Sequence, residues 1–475
     1  MSLALLTDLY QLTMSYGYWK AGMRDHESVF HLFFRKNPFQ GGYAIACGLG
    51  PVVEFLENFS LEDSDIGYLE SLQGNDGKPL FEPEFLQALQ QMKFSCDVHA
   101  VPEGSVVFPH EPILRIRGPI VLCQLLETPL LNMMNFQTLI ATKSSRICQA
   151  AQGDSVLEFG LRRAQGIDGG LSASRAAYIG GCSASSNVLA GKKYGIPVRG
   201  THAHSWVMSF DNEMEAFESY AAAMPNNCVF LVDTYNTIQG VKKAIEVGKQ
   251  LKEKGFEWAG IRLDSGDLAD LSHKARQLMN EAGFEDAAIV ASNDLDEYRI
   301  TELKARGAKI SVWGVGTRLA TAYDQPALGG VYKLAAIRPP AGEWSYMVKL
   351  SEQTIKVSNP GIQQVLRLSG EDGFAGDMIV HEGFEERASV FYSFSGPSIN
   401  SSQYSTEPLL QPIFVAGKRV YDIPSIHKSR AFAQEQLALF ADKYVRLNDP
   451  ASYPVGLEQG LEGLKKQLIS QAKEQ

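Results

Sequence analysis

The sequence predicts an α/β fold: an irregular (β/α) barrel of parallel strands, with a flanking mixed α+β domain built from the N- and C-terminal segments. Three observations carry this. Short apolar, β-rich runs recur at 155–160 (SVLEFG), 196–200 (IPVRG), 229–233 (VFLVD), 259–264 (AGIRLD), 288–293 (AIVASN) and 310–314 (ISVWG). The segments between them have a helical period. The runs end in polar or glycine residues, and acids, histidine and glycine are dense at or just past those ends.

Taken in order, the N-terminal third (HESVFHLFFRKNPF, CDVHAVPEGSVVFPHEPILRIRG) reads as antiparallel strands with some helix. Within the repeat, GVKKAIEVGKQLKEKG puts Val241, Ile245, Val247 and Leu251 largely on one side, and LADLSHKARQLMNEAG does the same with Leu268, Leu271, Ala275, Leu278 and Met279. Both stop at glycine, Gly255 and Gly283, a common C-terminal helix signal. Strand ends about twenty to fifty residues apart fit successive β-α-β units. Past Arg338 come further β signals (YMVKLS, QQVLRLS, MIVHEG) and an amphipathic helix from Ser425. The expected division is an N-terminal α+β domain at 1–130 joined by 335–400, a barrel at 131–334 carrying the active site, and a helical segment at 401–475.

At 475 residues, 45% hydrophobic and 21% charged, the chain suits a soluble enzyme of two or three domains that needs no metal or disulfide to hold its core. A net charge of −10 argues against a nucleic-acid binder, though not against local phosphate pockets. Six scattered cysteines without a CxxC pair read as reduced thiols of a cytoplasmic protein. MSLALLTDLYQ lacks the basic start and long apolar core of a signal peptide, and no run reaches the ~20 apolar residues of a membrane span.

In parallel α/β folds function gathers at the carboxyl ends of the strands. There lie Glu158, the Thr201–Ser205 segment, Asp233, Asp264, Asn293 and Gly316. In GIRLDSGDL, Asp264 and Asp267 suit a metal or ribose hydroxyls, and equally a helix N-cap. Arg262 alternates with Leu263 and can point into the barrel, where a guanidinium calls for an anion or a buried carboxylate. In GTHAHSW, His202 and His204 at i,i+2 on a strand would share a face; a third zinc ligand is lacking, while a phosphorylatable imidazole or a general base remains open. WGVGTRL offers Gly316 and Thr317 as a phosphate turn. The glycine- and serine-rich stretch 166–187 around Arg175 could hold an anion or pack tightly. Phe159 with Arg162 and Arg163 suits a flat anionic ring beside a phosphate, although core packing is the default for a strand aromatic. On LLTDLYQLTMSYGYW, Tyr10, Tyr16, Tyr18 and Trp19 share a short helix. These features describe a pocket for phosphates, ribose and a planar ring without naming a reaction.

TDLYQLTM, FFRKNPF, EFGLRRAQG, SSNVLAGKKYGIPVRGTHAHSW, LVDTYNT, GIRLDSGDL, SNDLDE, GVGT and QPALGGVYKL, in this order over nearly the whole chain, resemble the nicotinate phosphoribosyltransferase family. The resemblance implies that nicotinate, phosphoribosyl pyrophosphate and ATP become nicotinate mononucleotide, pyrophosphate, ADP and phosphate, with Mg²⁺ and a transient phosphohistidine, in NAD salvage. It implies that His204 carries the phosphate and that Tyr10 reaches the nicotinate ring from the neighbouring subunit of a homodimer with shared active sites. Phe159 would stack on the opposite face, Thr201 and Arg262 would hold nicotinate, and Thr317 with Gly316 would hold phosphoribosyl pyrophosphate. Asp233, Asp264 and Arg162 would serve ribose, metal and phosphate; the metal ligands themselves stay unassigned.

Nicotinamide phosphoribosyltransferase is the nearest rival, and the hydroxyls of Ser183–Ser186, standing where an amide reader would place an acid, favour nicotinate. A quinolinate-specific transferase would need more cations and no phosphate-accepting histidine. A non-catalytic nucleotide sensor on the same scaffold would have no use for His204, Asp264 and Arg262 together.

Overall fold

Five of the six apolar runs form strands of one parallel sheet, joined by the two-residue strand Ala184–Ser185. The order across the sheet is Ala184–Ser185, Ser155–Glu158, Val312–Val315, Ala288–Ala291, Gly260–Leu263, Val229–Leu231. The sixth run, IPVRG, is not a strand. It touches the sheet only through a parallel bridge between Ser185 and Val198, because Pro197 has no N–H to extend a ladder. Among the described residues no ladder joins this segment to Val229–Leu231, so the irregular barrel is a curled, open one. The computed structural model describes residues 3–353, 356–384 and 388–474, in two units: Ile140–Pro326, which holds this sheet, and Met1–Leu139 with Ala327–Gln475.

Strand and helix patterns account for the packing of the parallel sheet. Ile261, Leu263, Ile289, Ala291, Trp313 and Val315 are fully buried at alternate positions, each worth about 1.5–3 kcal/mol for a large side chain. The helix Thr237–Glu253 begins at Asn236, whose side chain accepts from the Gln239 N–H at 3.0 Å, and buries Val241, Ala244, Ile245, Val247 and Leu251. The next, Leu268–Glu281, packs on Gly260–Leu263 and Ala288–Ala291. Gly260 has φ +139°, and a Cβ there would fall 2.0 Å from the Ala288 carbonyl oxygen, so glycine is required for the strands to meet.

In the other unit, both ends of the chain contribute to one seven-stranded antiparallel sheet. Its order is Ser345–Tyr346, Val331–Arg338, Glu27–Phe33, Leu114–Pro119, Asp97–Ala100, Gln411–Val415, Lys418–Arg419. A six-stranded sheet built from 363–458 stands beside it in sequence, with Val455–Glu458 parallel to Gly373–His381. Residues from 401 onward, read as helical, thus carry strands at Ser405–Pro408, Gln411–Val415, Lys418–Arg419 and Val455–Glu458 as well as the helices Ile426–Ala438, Asp442–Val445 and Gln459–Lys473. Those strands are short and contain Pro408 and Pro412, which hid them from the pattern. No described helix is long and apolar enough to cross a membrane. All six cysteines are free thiols.

Candidate active site

Three neighbouring strand ends are stitched together by side chains. Asp233, just past Val229–Leu231, accepts with Oδ2 from the Asp264 N–H at 2.8 Å and from the Ser265 hydroxyl at 2.6 Å. Its other oxygen, Oδ1, is buried and has no partner among the described residues. Asp264 Oδ1 accepts from the Ser292 hydroxyl at the next strand end. Its Oδ2 lies 3.7 Å from His204 Nε2, and His204 Nδ1 lies 3.1 Å from Thr234 Oγ1. The His204 and Asp264 side chains are 41% and 36% exposed, so this imidazole–carboxylate pair is open to a substrate. Thr234 and Ser292 were not singled out from sequence; their signal is position, one residue past Asp233 and at the end of AIVAS.

The two acids of GIRLDSGDL separate in role. Asp267 caps the following helix, accepting from the Ala269 and Asp270 N–H groups, and pairs with Arg306 at 2.6 Å. Asp264 alone faces the imidazole.

Arg262 stands in a cross-strand row with Leu231 and Val290. One guanidinium N–H donates to Thr201 Oγ1, whose hydroxyl in turn donates to the His202 carbonyl at 3.2 Å. Its Nε is buried without a partner among the described residues. Burial pushes the guanidinium below its usual range, Asp264 and Asp233 pull it back, and Arg162 adds to the depression. A buried, unpartnered donor on a half-buried cation is costly, and a ligand anion would relieve it.

Past the strand Ser155–Glu158, Phe159 donates its N–H to the Val315 carbonyl at 2.8 Å, and its half-buried ring lies over Gly314, where a Cβ would come within 2.8 Å. Gly160 is equally confined, 2.9 Å from the Gly316 carbonyl at its notional Cβ. Close approach at these two glycines sets the exposed turn Leu161–Arg163, with Arg162, against Gly316 and the short helix Thr317–Ala320.

Other expected residues have different places. His202 and His204 do not share a strand face: 201–203 are irregular and His204 opens the helix His204–Met208. His202 is buried, accepts with Nε2 from the Leu231 N–H at 3.2 Å, and burial lowers its pKa to about 4. It is neutral scaffold. Ser183 donates to the Val156 carbonyl, and Ser185 donates to Glu158 at 2.6 Å. Those two hydroxyls are occupied internally, which leaves half-buried Ser186, whose N–H donates to the Glu158 carbonyl at 2.9 Å, as the remaining serine of the stretch. Glu158, fully buried, also accepts from Ser174 at 2.9 Å and from the Gly160 N–H, and anchors the Phe159–Arg162 turn. Within the stretch 166–187 residues 173–180 pack tightly, with Gly180 against the Ala141 carbonyl and buried Arg175 6.0 Å from the Tyr194 ring, whereas 166–168 are exposed. Tyr10, 48% exposed, belongs to the other unit, on the helix Leu9–Lys20, whose Tyr16 and Trp19 pack with Phe85. Among the described residues no three His, Cys, Asp or Glu side chains cluster as a metal site.

A curled parallel sheet that presents an imidazole–carboxylate pair, a second carboxylate with one unpartnered oxygen and a guanidinium with an unpartnered Nε at its strand ends suits an enzyme for an anionic substrate. The nicotinate phosphoribosyltransferase (NAPRTase) N-terminal domain matches residues 5–135, the nicotinate phosphoribosyltransferase (NAPRTase) family 155–339, and its C-terminal domain 362–465. Nicotinate phosphoribosyltransferase of Bacillus subtilis is 43% identical, covering 99% of this chain and 96% of its own, and that of Homo sapiens is 36% identical, covering 98% and 96%. The crystal structure of human nicotinic acid phosphoribosyltransferase superposes with a TM-score of 0.85 at 34% identity, over 98% of this chain and 100% of that one. The chain belongs to the nicotinate phosphoribosyltransferase family.

Proposed function

We propose that the chain joins nicotinate to phosphoribosyl pyrophosphate, giving nicotinate mononucleotide and pyrophosphate for NAD salvage, and couples this to ATP hydrolysis through His204. The observation that carries the reading is Arg262: a guanidinium held inside the sheet by Thr201, with Nε unpartnered, is built for a small anion such as the pyridine carboxylate. Phe159 supplies one face for the ring. Thr317 and Gly316, with Arg162 beside them, take the phosphates of the ribose donor.

Transfer at the anomeric carbon develops positive charge on ribose while pyrophosphate departs. Asp233 and Asp264 stabilise that charge, and Arg162 receives the leaving group. The orphaned Asp233 Oδ1 and the Asp264 carboxylate fit Mg²⁺, which when bound supplies charge to the pyrophosphate. For ATP coupling, a His204 nitrogen attacks the γ-phosphorus as the bond to the β,γ-bridging oxygen breaks and ADP leaves. Thr234 at Nδ1 orients the ring, and the Asp264 carboxylate on the Nε2 side balances its charge. Water later cleaves the P–N bond and releases phosphate.

A homodimer completes the site with Tyr10. Its support is an exposed apolar run on one N-terminal segment, Leu3, Leu6, Leu9, Tyr10 and Met14, each more than a third exposed. Six free thiols favour a cytoplasmic setting.

Two assays test the reading. ATP should stimulate nicotinate mononucleotide formation, with nicotinamide turned over poorly; equal use of both pyridines would remove the substrate assignment. Label from the γ-phosphate of ATP should appear on the protein in acid-labile form and be lost in His204→Asn; retained label would remove the histidine assignment.

A further inference from the structure

Behind the Gly316–Thr317 turn runs an alternating line of six charges that no step above uses. Arg146 Nε pairs with Glu297 Oε1 at 2.9 Å, and Lys143 Nζ bridges Glu297 Oε2 at 2.7 Å and Asp324 Oδ2 at 2.5 Å. Arg318 Nη1 then lies 3.9 Å from Asp324 Oδ1 and 3.1 Å from Asp296 Oδ2. Lys143, Arg146 and Glu297 are completely buried, whereas Arg318 and Asp324 are about one-third exposed. The line therefore starts in the core and ends beside Thr317.

We infer that Asp324 and Arg318, anchored by Lys143, are positioning residues for the turn that holds phosphoribosyl pyrophosphate. Arg318 and Asp324 bracket the segment that follows Thr317, and between them buried Ala322 has φ +45°. A left-handed non-glycine residue persists only where its surroundings fix it. Ion pairs at both ends of the segment supply that constraint. The anchor is rigid, because Lys143 lies within the 24-residue helix Glu127–Ala150 and Asp296 caps the helix Glu297–Ala305, accepting from the Arg299 N–H at 2.7 Å. Arg318 has two acids within 4 Å and also covers the Tyr323 ring at 4.7 Å. Its charge is already compensated, so it aims the turn instead of serving as a free phosphate ligand.

The inference rests on the functional reading above, and one kinetic experiment separates the two. Asp324→Asn keeps the side-chain size and leaves the buried Lys143–Glu297 pair in place. In steady state it should raise KM for phosphoribosyl pyrophosphate by about tenfold, with kcat and the nicotinate KM within about twofold of wild type. Asp324→Glu should recover part of the loss, and Arg318→Gln should reproduce the pattern from the exposed end. A purely structural role would change the amount of folded enzyme and leave both KM values alone. An unchanged KM for phosphoribosyl pyrophosphate, or a parallel rise for both substrates, overturns the inference. A wild-type protein that makes no nicotinate mononucleotide in the same assay overturns the functional reading along with it.

Discussion

Two arginines, one in each unit, carry their charge away from bulk water, Arg367 wholly and Arg262 in part, and receive opposite treatment. Arg367 is fully buried, and every arm of its guanidinium is engaged: Nε and Nη2 meet Asp377 at 2.9 and 2.5 Å, Nη2 also meets the Val106 carbonyl at 2.8 Å, and Nη1 meets Gln436 at 3.2 Å. The rings of Phe108, Phe374 and Phe440 surround it at 5.1–5.9 Å. Burial works against its charge, and Asp377 more than offsets that, so the group is held more firmly protonated than a free arginine. Arg262 has Thr201 and a bare Nε, and its charge is weakened by burial. A satisfied buried charge belongs to the architecture; an unsatisfied one is stability given up for a ligand.

Breaking the satisfied arginine should have the largest effect on stability. Arg367→Met leaves Asp377 buried without its counter-ion, beside Tyr453 and a Glu111 whose pKa burial and Asp377 push well up. Urea unfolding should show a loss of about 3–5 kcal/mol. A loss below 1 kcal/mol would mean that the ring cage, not the ion pair, holds this core.

Acid should act next, through histidines that burial keeps neutral. His202 and His110 both have pKa values lowered to about 4. Between pH 6.5 and 4 the unfolded chain takes up protons that the folded chain refuses, so stability falls across that window and levels off below it. The limit is about 3 kcal/mol per histidine. Urea midpoints measured from pH 7 to 4 check this, and His202→Gln should flatten the curve.

The smallest effect separates the two acids of GIRLDSGDL. Asp267→Ala should cost about 1 kcal/mol through the lost helix cap, with kcat per folded molecule unchanged. A fall in kcat with no change in stability would place Asp267 in the site after all.

Much of this was legible because hydrophobic runs bounded by polar residues mark strand ends whatever the detail of packing. Five of six strands and the residues at their tips followed from that pattern. Direction was not legible. Asp264 and Asp267 have the same chemistry, and only the fold tells cap from site. Ser183 and Ser185 sit in a plausible binding stretch, but their hydroxyls turn inward to Val156 and Glu158. His202 and His204 depend on an irregular backbone that periodicity cannot foresee. The Lys143–Glu297 and Arg367–Asp377 pairs differ in the same sense: partners ten residues apart on one hairpin suggest themselves, whereas partners over 150 residues apart require the tertiary structure.

The contrast between the two arginines is tested most directly by Arg262→Gln beside Arg367→Gln, with urea unfolding and nicotinate kinetics measured on both. Arg262→Gln should leave the urea midpoint unchanged or higher and lower kcat/KM for nicotinate by about 10- to 100-fold. If it unfolds as readily as Arg367→Gln while its folded fraction uses nicotinate like the wild type, Arg262 is structural and the site has been placed on the wrong residue.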